Sequence, residues 1–526
     1  MAQCREPQAQ GEEGRNGLGA NPVHLPQAIT PLLVGQQVVP DVAAGPRDGR
    51  QQEAGRGLAG VQAQADRAVH GPRGLCCRMA GVGHGTAASC PVESPDVRRA
   101  LLFAGHDYST GVQGCACRTD CVVRYISPHG FLMQLCTPDQ ANVSEQQLSR
   151  LDASMQGAID KGHLNGIQVL LARRDKPFHF ASFGWQDKAN DVPMATDTIF
   201  RIYSMTKPIV SVATMMLFEE GRLQIADPVG EYLPAFHNLK VYVDENTTAN
   251  LERPVLVRDL LMHTAGLTYG FDEHPVDRMY AEAHVLDRQL TPDEALDRLC
   301  RIPLVFQPGS QWRYSIATDV LGWVVSAVTG KSLGESLNEM IFEPLGMKDT
   351  RFQVPEEDLG RLSVNYQTNH YGRLESMPKP DRDPVVTGVK TESGGGGLVG
   401  TTADYFRFAQ MLLNEGTLDG VRLLGPRTVR YMATDHLKKG MEVFGNADGG
   451  YGAYGFGLGF RVLKTPGRHR HLSGVGEYGW AGAANTYFWI DPNADLLGIF
   501  MSQLMPSGLH DVARMFQSQA YAALND

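Results

Sequence analysis

Residues 209–218 (IVSVATMMLF) are apolar around nearly the whole circumference of a helix. A helix without a polar face has to be buried on all sides. Pro208 precedes this stretch and fits only in the first turn of a helix, which predicts a helix start near Ser204. Gly221 follows the stretch and is a typical residue just beyond a helix end. The chain must therefore fold around a buried helix that begins near Ser204.

Ser204 and Lys207 lie three residues apart at the start of this helix, so they share one face. Partial burial and the positive end of the helix dipole both favour the neutral amine of the lysine. A neutral amine can accept the proton of a serine hydroxyl and activate it as a nucleophile. The alternative from the residues alone is a helix-capping serine followed by a surface lysine.

Two other serines compete for the role of nucleophile. Ser376 also precedes a lysine by three residues, Lys379, but the proline-rich stretch around them (MPKP, 377–380) predicts a solvated loop. Ser332 lies in a formal G-x-S-x-G match at 330–334, a motif that requires a strand before the serine. The preceding residues, 319–329, have helical spacing, and Ser332 with Glu335 forms a capping-box pattern that opens another helix. Neither serine is predicted to be catalytic.

The remaining pattern predicts strands at both ends of the ordered region and helices in its middle. Helices are predicted at 145–161 and 510–524, and strands at 167–172, 178–183, 455–462, 485–490 and 496–502. This order indicates a discontinuous α/β domain, 143–225 and 391–526, with a helical domain inserted at 226–390.

The first 130 residues have a different composition, with arginine but no lysine and much Gly, Ala, Gln and Pro. Such a segment buries little apolar surface and is predicted to be disordered. It is either a regulatory or targeting arm or, as we favour, a translated upstream extension, with Met133 as a plausible start. Its Cys115, Cys117 and Cys121 do not have the spacing of a zinc ribbon, and no metal is predicted.

Net charge and apolar content limit the partners and the location. A formal net charge of -10 and a pI near 5.9 argue against a nucleic-acid or anionic-membrane partner. No apolar run reaches the ~20 residues of a membrane span, and the N-terminus lacks the apolar core of a signal peptide. Cys300 is the one cysteine after Cys136, which excludes a disulfide-built catalytic region. The chain is predicted to be soluble and cytoplasmic.

Several segments in fixed order resemble the class C β-lactamase and penicillin-binding-protein-like superfamily, most closely the family VIII carboxylesterases. They are FRIYSMTK (200–207), LLMHTAGL (260–267), QPGSQWRYS (307–315), PLGM (344–347), GGGGLVGTTAD (394–404) and GWAGA (479–483). The resemblance covers residues 143–526. It implies a β-lactamase-like α/β fold of the α+β type, with an antiparallel sheet flanked by helices and an inserted, mostly helical domain.

The resemblance also implies roles for individual residues. Ser204 is the nucleophile, and Lys207 and Tyr314 form its coupled acid–base pair, in which the proton acceptor stays open. The oxyanion hole uses the backbone N–H groups of Ser204 and Ala483. No cofactor is implied. His263 is predicted to be scaffold rather than a triad base.

The third motif of the superfamily is placed at Trp480-Ala481-Gly482, leading into an expected edge strand; His471–Gly474 is the weaker alternative. Trp480 stands where β-lactamases and peptidases have a cation, and Ile316 replaces the asparagine of the tyrosine motif. Trp480, Gly482 and Ile316 are therefore expected to line a pocket that favours neutral acyl groups, because an indole offers apolar surface and cannot supply the charge-assisted contact that a cation gives a carboxylate.

The predicted function is hydrolysis of small or short-chain acyl esters through an acyl-enzyme on Ser204, with weak β-lactam hydrolysis as a side activity. The substrate partner is thus a small-molecule ester. The alternatives are a β-lactamase, D-alanyl peptidase or acyltransferase of the same superfamily and, from another class, a non-catalytic scaffold.

Overall fold

The computed structural model describes residues 123–526 apart from 127–131, 378–382, 442, 444–451 and 470. These described residues belong to one compact unit of the chain. The predictions for residues 1–122, including Cys115, Cys117 and Cys121, lie outside the described residues, as does Lys379. The described structure includes two strands N-terminal to residue 143, and the side chain of Met133 is buried in the core.

The central element is an eight-stranded antiparallel sheet with the order β14-β15-β16-β17-β18-β3-β4-β5. Its strands are β3 (Gly166–Arg173), β4 (Lys176–Asp187), β5 (Val192–Pro193), β14 (Tyr454–Phe456), β15 (Arg461–Leu463), β16 (Tyr478–Ala481), β17 (Tyr487–Asp491) and β18 (Leu496–Met501). Strands from both ends of the described chain meet where β3 pairs with β18, Leu170 opposite Ile499. This confirms the predicted fold class.

Eleven further strands form small sheets around the central one. They are β1 (Val123–Ile126), β2 (Leu132–Leu135), β6 (Phe200–Arg201), β7 (Lys240–Asp244), β8 (Thr247–Asn250), β9 (Tyr366–Thr368), β10 (Leu374–Ser376), β11 (Val399–Gly400), β12 (Thr417–Leu418), β13 (Val421–Arg422) and β19 (Leu504–Met505). The pair of β6 and β11 matters for function, because it ties the chain just before Ser204 to the glycine-rich segment at 394–400.

The described residues contain twelve α-helical segments. They are α1 (Glu145–Asp160), α2 (Thr206–Glu219), α3 (Val257–Leu261), α4 (Pro275–Ala283), α5 (Pro292–Cys300), α6 (Ala317–Thr329), α7 (Leu333–Leu337), α8 (Glu343–Leu345), α9 (Pro384–Thr387), α10 (Thr402–Leu413), α11 (Pro426–Met432) and α12 (Val512–Ala522). Most of the residues between α2 and α10 are helical or irregular.

The sheet separates two apolar cores, and strand β3 shows how. Ile167, Val169 and Leu171 point into the core formed with α1 and α12, while Leu170 and Ala172 point into the larger core on the other face. A strand buried on both faces is largely apolar on both, which explains the continuous apolar run VLLA at 169–172.

Helix α2 lies inside the larger core, as its sequence predicts. Its buried residues run from Thr206 to Met215 without a break. Pro208 occupies the first turn, and Gly221, with φ of 71°, follows the helix end. The observed start of the helix differs slightly from the predicted start near Ser204. Tyr203–Met205 form a 3₁₀ turn, and the α-helix itself begins at Thr206.

Two strand predictions are wrong. The single strand predicted at 455–462 is a hairpin, β14 and β15, because Gly457 N–H bonds to Phe460 O and closes a turn. Gly459, with φ of 100°, packs so closely against Ser211 that no side chain would fit there. Strand β17, expected at an edge, is interior, because Tyr478–Ala481 form strand β16 and pair with its other side.

Candidate active site

Ser204 lies in the 3₁₀ turn at the entrance of helix α2. The residue before it, Tyr203, has a positive φ of 44°, a conformation that non-glycine residues seldom adopt. Two contacts hold the turn: the Tyr203 hydroxyl accepts a hydrogen bond from Asn365 at 2.7 Å, and Ile202 N–H donates to Leu398 O at 3.1 Å. The backbone strain is thus stored next to the candidate nucleophile.

Lys207 is almost completely buried, with 1% of its surface exposed. Its Nζ donates hydrogen bonds to Ser204 Oγ at 3.2 Å, to the Tyr269 hydroxyl at 2.9 Å and to Gly395 O at 2.5 Å. Burying an amine is costly unless it is hydrogen-bonded, and these three partners satisfy it. The lysine predicted from the motif therefore contacts the predicted serine directly.

Tyr314 completes the contacts of Ser204. Its hydroxyl donates to Ser204 Oγ at 2.6 Å, and its ring lies 4.6 Å from Lys207 Nζ, measured to the ring centroid. The structure thus brings together the three residues that the sequence analysis selected, although Tyr314 lies 110 positions from Ser204 in the chain. Ser204 Oγ is within hydrogen-bonding distance of two groups that can exchange a proton with it.

Tyr269 is a member of the site that the sequence analysis missed. Burial raises the pKa of its hydroxyl well above the ordinary value, and the neighbouring carboxylate of Asp319 raises it further. Tyr269 therefore stays protonated and can accept the hydrogen bond from Lys207 while keeping its own proton. The one feature of the sequence that marks Tyr269 is its position two residues after Leu267, the last residue of the HTAGL segment. No local spacing connects Tyr269 with Lys207.

Asp319, also missed, fixes the backbone group that Lys207 contacts. Its carboxylate accepts hydrogen bonds from Ser393 Oγ at 2.5 Å and from Gly395 N–H at 3.1 Å. A side chain at Gly395 would collide with this carboxylate, so the close approach requires glycine. The glycine-rich segment thereby presents Gly395 O to Lys207.

His263 packs against the ring of Tyr314. It is buried, has a positive φ of 58°, and its Nδ1 lies 3.2 Å from Ser315 Oγ. Its ring centroid is 5.0 Å from that of Tyr314. Burial lowers the pKa of the imidazole well below its ordinary value, and the charge of Lys207 lowers it further, so the ring is neutral. Its hydrogen-bond partner is Ser315 rather than Ser204.

Trp480 forms one wall beside Tyr314, with ring centroids 5.5 Å apart, and packs edge-on against Phe456 at 5.3 Å. Its indole is partly exposed and lies at the end of strand β16. The competing placement of the third motif lies elsewhere: Ser473 contacts Glu477 and, at 3.4 Å, Tyr521 of helix α12.

The turn after Trp480 is anchored to the chain that precedes the nucleophile. Gly482 N–H bonds to Thr486 O at 2.7 Å, and Thr486 Oγ1 donates to Ile202 O at 3.1 Å. A side chain at Gly482 would collide with both Thr486 and Ile202. Ala483 follows, its carbonyl bonded to Ser507 N–H. Ile316 is buried in the larger core. The expectation that it lines the substrate pocket stays a prediction.

The rival serines lie in other surroundings. Ser332 caps helix α7 through its hydroxyl and forms the predicted capping box with Glu335. Ser376 ends the short strand β10 and is exposed, rather than lying in the predicted loop. Among the described residues, no group of three or more His, Cys, Asp or Glu side chains could hold a metal ion, and no helix of that part of the chain is long and apolar enough to cross a membrane.

Residues 151–522 match the Beta-lactamase family, and the chain belongs to this family. It is a serine hydrolase of the β-lactamase and penicillin-binding-protein superfamily. The sequence is 37% identical to protein Rv1367c of Mycobacterium tuberculosis over 372 residues, which cover 69% of this chain and 91% of that protein. It is 30% identical to esterase EstB of Burkholderia gladioli over 383 residues, covering 69% of this chain and 91% of EstB.

A solved structure with a similar fold is EstCE1, described as a hydrolase with promiscuous acyltransferase activity. It superposes with a TM-score of 0.63 at 26% sequence identity and covers 73% of this chain and 99% of its own. The resemblance to family VIII esterases that the motifs indicated is therefore confirmed at the level of sequence and fold.

Proposed function

We propose that this chain is a carboxylic ester hydrolase that cleaves small or short-chain acyl esters through an acyl-enzyme on Ser204. The observation that carries the proposal is the position of Ser204 Oγ, 2.6 Å from the Tyr314 hydroxyl and 3.2 Å from Lys207 Nζ. A serine hydroxyl is a weak nucleophile until a neighbouring group accepts its proton, and both neighbours are in place.

In the proposed acylation step the Tyr314–Lys207 pair reacts in the form that lacks one proton, and it accepts the proton of Ser204 while Ser204 Oγ forms a bond to the ester carbonyl carbon. The tetrahedral intermediate then collapses, the bond from carbonyl carbon to alkoxy oxygen breaks, and the pair returns the proton to the leaving alcohol. In deacylation a water molecule gives its proton to the same pair and attacks the acyl-enzyme. The bond from the acyl carbon to Ser204 Oγ breaks, the acid is released, and the pair passes the proton taken from water to Ser204 Oγ.

The developing negative charge on the carbonyl oxygen needs fixed hydrogen-bond donors. We assign this role to the backbone N–H groups of Ser204 and Ala483. The assignment is supported by the hydrogen bond from Thr486 Oγ1 to Ile202 O, which ties the turn containing Ala483 to the chain two residues before Ser204. Donors held by such contacts need no rearrangement during the reaction.

Trp480 supports an ester substrate over a β-lactam. A cation at this position would pair with the carboxylate of a β-lactam or a D-alanyl peptide, whereas an indole offers apolar surface. The contacts of Trp480 with Tyr314 and Phe456 create an aromatic wall against which a short acyl or alkoxy group can pack. The esterase relative EstB agrees with this choice.

A second candidate function is acyl transfer to an alcohol. It is favoured by the similarity to EstCE1, whose description includes acyltransferase activity. The two reactions share the acyl-enzyme and differ in whether water or an alcohol attacks it. Adding a primary alcohol to an ester assay and measuring the ratio of new ester to free acid would separate them.

The proposal is tested by comparing kcat/KM for p-nitrophenyl butyrate and for a chromogenic cephalosporin with the same enzyme preparation. We expect the ester to be the better substrate by at least about tenfold, since the site lacks the cation of the third motif. A preference for the cephalosporin would contradict the proposal and favour a β-lactamase or D-alanyl peptidase.

A further inference from the structure

Arg288 lies in the segment between helices α4 and α5 and reaches the glycine-rich segment of the active site. Its carbonyl oxygen accepts hydrogen bonds from Lys390 N–H at 3.0 Å and Thr391 N–H at 3.2 Å. Its Nη2 lies 3.4 Å from Gly396 O. Gly396 follows Gly395, whose carbonyl contacts Lys207 Nζ. These bonds place the guanidinium one residue along the backbone from a partner of the candidate catalytic lysine.

The charge of Arg288 acts on two tyrosines of the site, Tyr203 and Tyr269. Burial raises the pKa values of Tyr203 and Tyr269, and the Arg288 guanidinium opposes this increase at each of them. Tyr203 precedes Ser204 in the chain, and Tyr269 is hydrogen-bonded to Lys207. Gly396, the residue that the guanidinium contacts, itself lies against the backbone of Tyr203, since a Cβ at this glycine would be 3.6 Å from Tyr203 C.

No carboxylate of the part of the chain that the structure describes lies within 4.0 Å of the Arg288 guanidinium, as an ion pair would require. The two nearby carboxylates that act on the same tyrosines have donors of their own. Asp383 pairs with Arg201, and Asp319 accepts from Ser393 and Gly395. Arginine has five N–H donors, and the long contact to Gly396 O uses one.

We propose that Arg288 binds a carboxylate carried by the substrate, so that the preferred esters are half-esters of dicarboxylic acids or esters of carboxylate-bearing alcohols. This inference rests on the proposed function of the site. It revises the expectation of neutral acyl groups, because Arg288 is a cation at Gly396, a different place from the third-motif position that Trp480 occupies. Guanidinium and carboxylate form a bidentate, charge-assisted pair, which is the strongest hydrogen-bonded contact available to such a substrate.

The arrangement divides the site into two parts. Trp480 and Tyr314 offer an aromatic surface, and Phe271, 42% exposed, stacks on Tyr269 with ring centroids 4.9 Å apart. The apolar part of a substrate would pack against these rings, and its carboxylate would pair with Arg288. A short chain between ester and carboxylate is thus expected to bind better than an uncharged chain of equal length.

The test uses three esters, four full-length proteins that are compared and a fifth that measures the background. Mono-p-nitrophenyl adipate carries a carboxylate on the acyl side, 4-carboxyphenyl hexanoate carries it on the alcohol side, and p-nitrophenyl hexanoate is the neutral reference. The proteins are the unmodified chain, Arg288→Gln, Arg288→Lys and the control Arg301→Gln, which removes an exposed arginine at the end of helix α5. Rates with Ser204→Ala are subtracted as the uncatalysed background.

We expect kcat/KM for one of the carboxylate esters, relative to the neutral ester, to fall about tenfold or more in Arg288→Gln, chiefly through KM. Arg288→Lys should recover part of this ratio, and Arg301→Gln should leave it unchanged. The ester whose ratio falls shows which side of the substrate carries the carboxylate. In the unmodified chain the preference should weaken as salt is added.

Two results would overturn the inference. If Arg288→Gln lowers turnover of all three esters by the same factor, Arg288 only supports the segment that contains Gly396, and the proposed esterase function still stands. If the unmodified chain hydrolyses none of the esters beyond the Ser204→Ala background, the proposed function itself fails, and the inference fails with it. Labelling of Ser204 by a phosphonate shows in both cases that the site is folded.

Discussion

The Lys207 Nζ lies 2.9 Å from the hydroxyl of Tyr269, closer than the 3.2 Å that separates it from Ser204 Oγ. The lysine that the motif pairs with the serine is thus held by a tyrosine 62 positions along the chain. Tyr314, the other tyrosine of the site, donates its hydrogen bond to Ser204 instead. The two tyrosines therefore make different contacts: one hydrogen-bonds the lysine and the other the candidate nucleophile.

Replacing Tyr269 with phenylalanine tests this division. We expect Tyr269→Phe to lower kcat for ester hydrolysis roughly tenfold to hundredfold with little change in KM, because Lys207 loses the hydroxyl that orients it. The pH–rate profile should shift as well. Tyr371→Phe is the matched control, since that side chain is 76% exposed. Loss of thermal stability at unchanged kcat would show that the hydroxyl has a structural role alone.

Replacing Ser204 with alanine tests the nucleophile. Ser204→Ala should abolish both ester hydrolysis and labelling by a serine-reactive phosphonate, read by mass spectrometry of the intact protein. Ser332→Ala should keep both, and should lose about 1 kcal/mol of stability because its hydroxyl caps helix α7. Activity that survives in Ser204→Ala would rule out the mechanism.

Replacing Trp480 with lysine tests the origin of substrate preference. The substitution places a cation beside Tyr314, where a carboxylate-bearing β-lactam would bind. We expect the kcat/KM ratio of cephalosporin to ester to rise at least about tenfold relative to Trp480→Met, which removes the indole without adding charge. Equal ratios in the two variants would mean that the indole, rather than the missing cation, decides the preference.

Asp404, at the start of helix α10, should make stability depend on pH. Burial and the charge of Asp349 raise the pKa of Asp404 to about 7. In the unfolded chain the same carboxyl group should have a pKa of ~3.9. Between these values the folded state holds a proton that the unfolded state has lost. Its contribution to stability is therefore complete below the unfolded pKa and is lost as the pH rises through about 7.

The Asp404→Asn variant cannot ionise at this position, so its free energy of unfolding should vary less between pH 4 and 7, by ~4 kcal/mol at most. Denaturant titrations at several pH values measure the difference. The control is Asp160→Asn, an exposed residue at the end of helix α1. A parallel pH dependence in Asp404→Asn and the unmodified chain would contradict the assignment.

Much of the local structure could be predicted from spacing alone. The boundaries of helix α2 follow from Pro208, the apolar run and Gly221, because these residues act on the backbone within one or two turns. Strand β3 and helices α1 and α12 begin and end within two residues of their predicted limits. The hairpin of β14 and β15 was missed because close packing against Ser211, a distant residue, decides the role of Gly459.

The sequence by itself determined the buried helix and the choice of Ser204 and Lys207 among the competing motifs. The fixed order of several motifs along the chain also predicted Tyr314 as their partner. These features depend on neighbours in the chain or on a pattern spread along it. The tertiary structure alone decided that Tyr269 and Asp319 hold the lysine site and that Arg288 lies beside it. Hydrogen bonds and charges act over a few ångströms in space, and folding brings together residues whose separation in sequence carries no periodic signal.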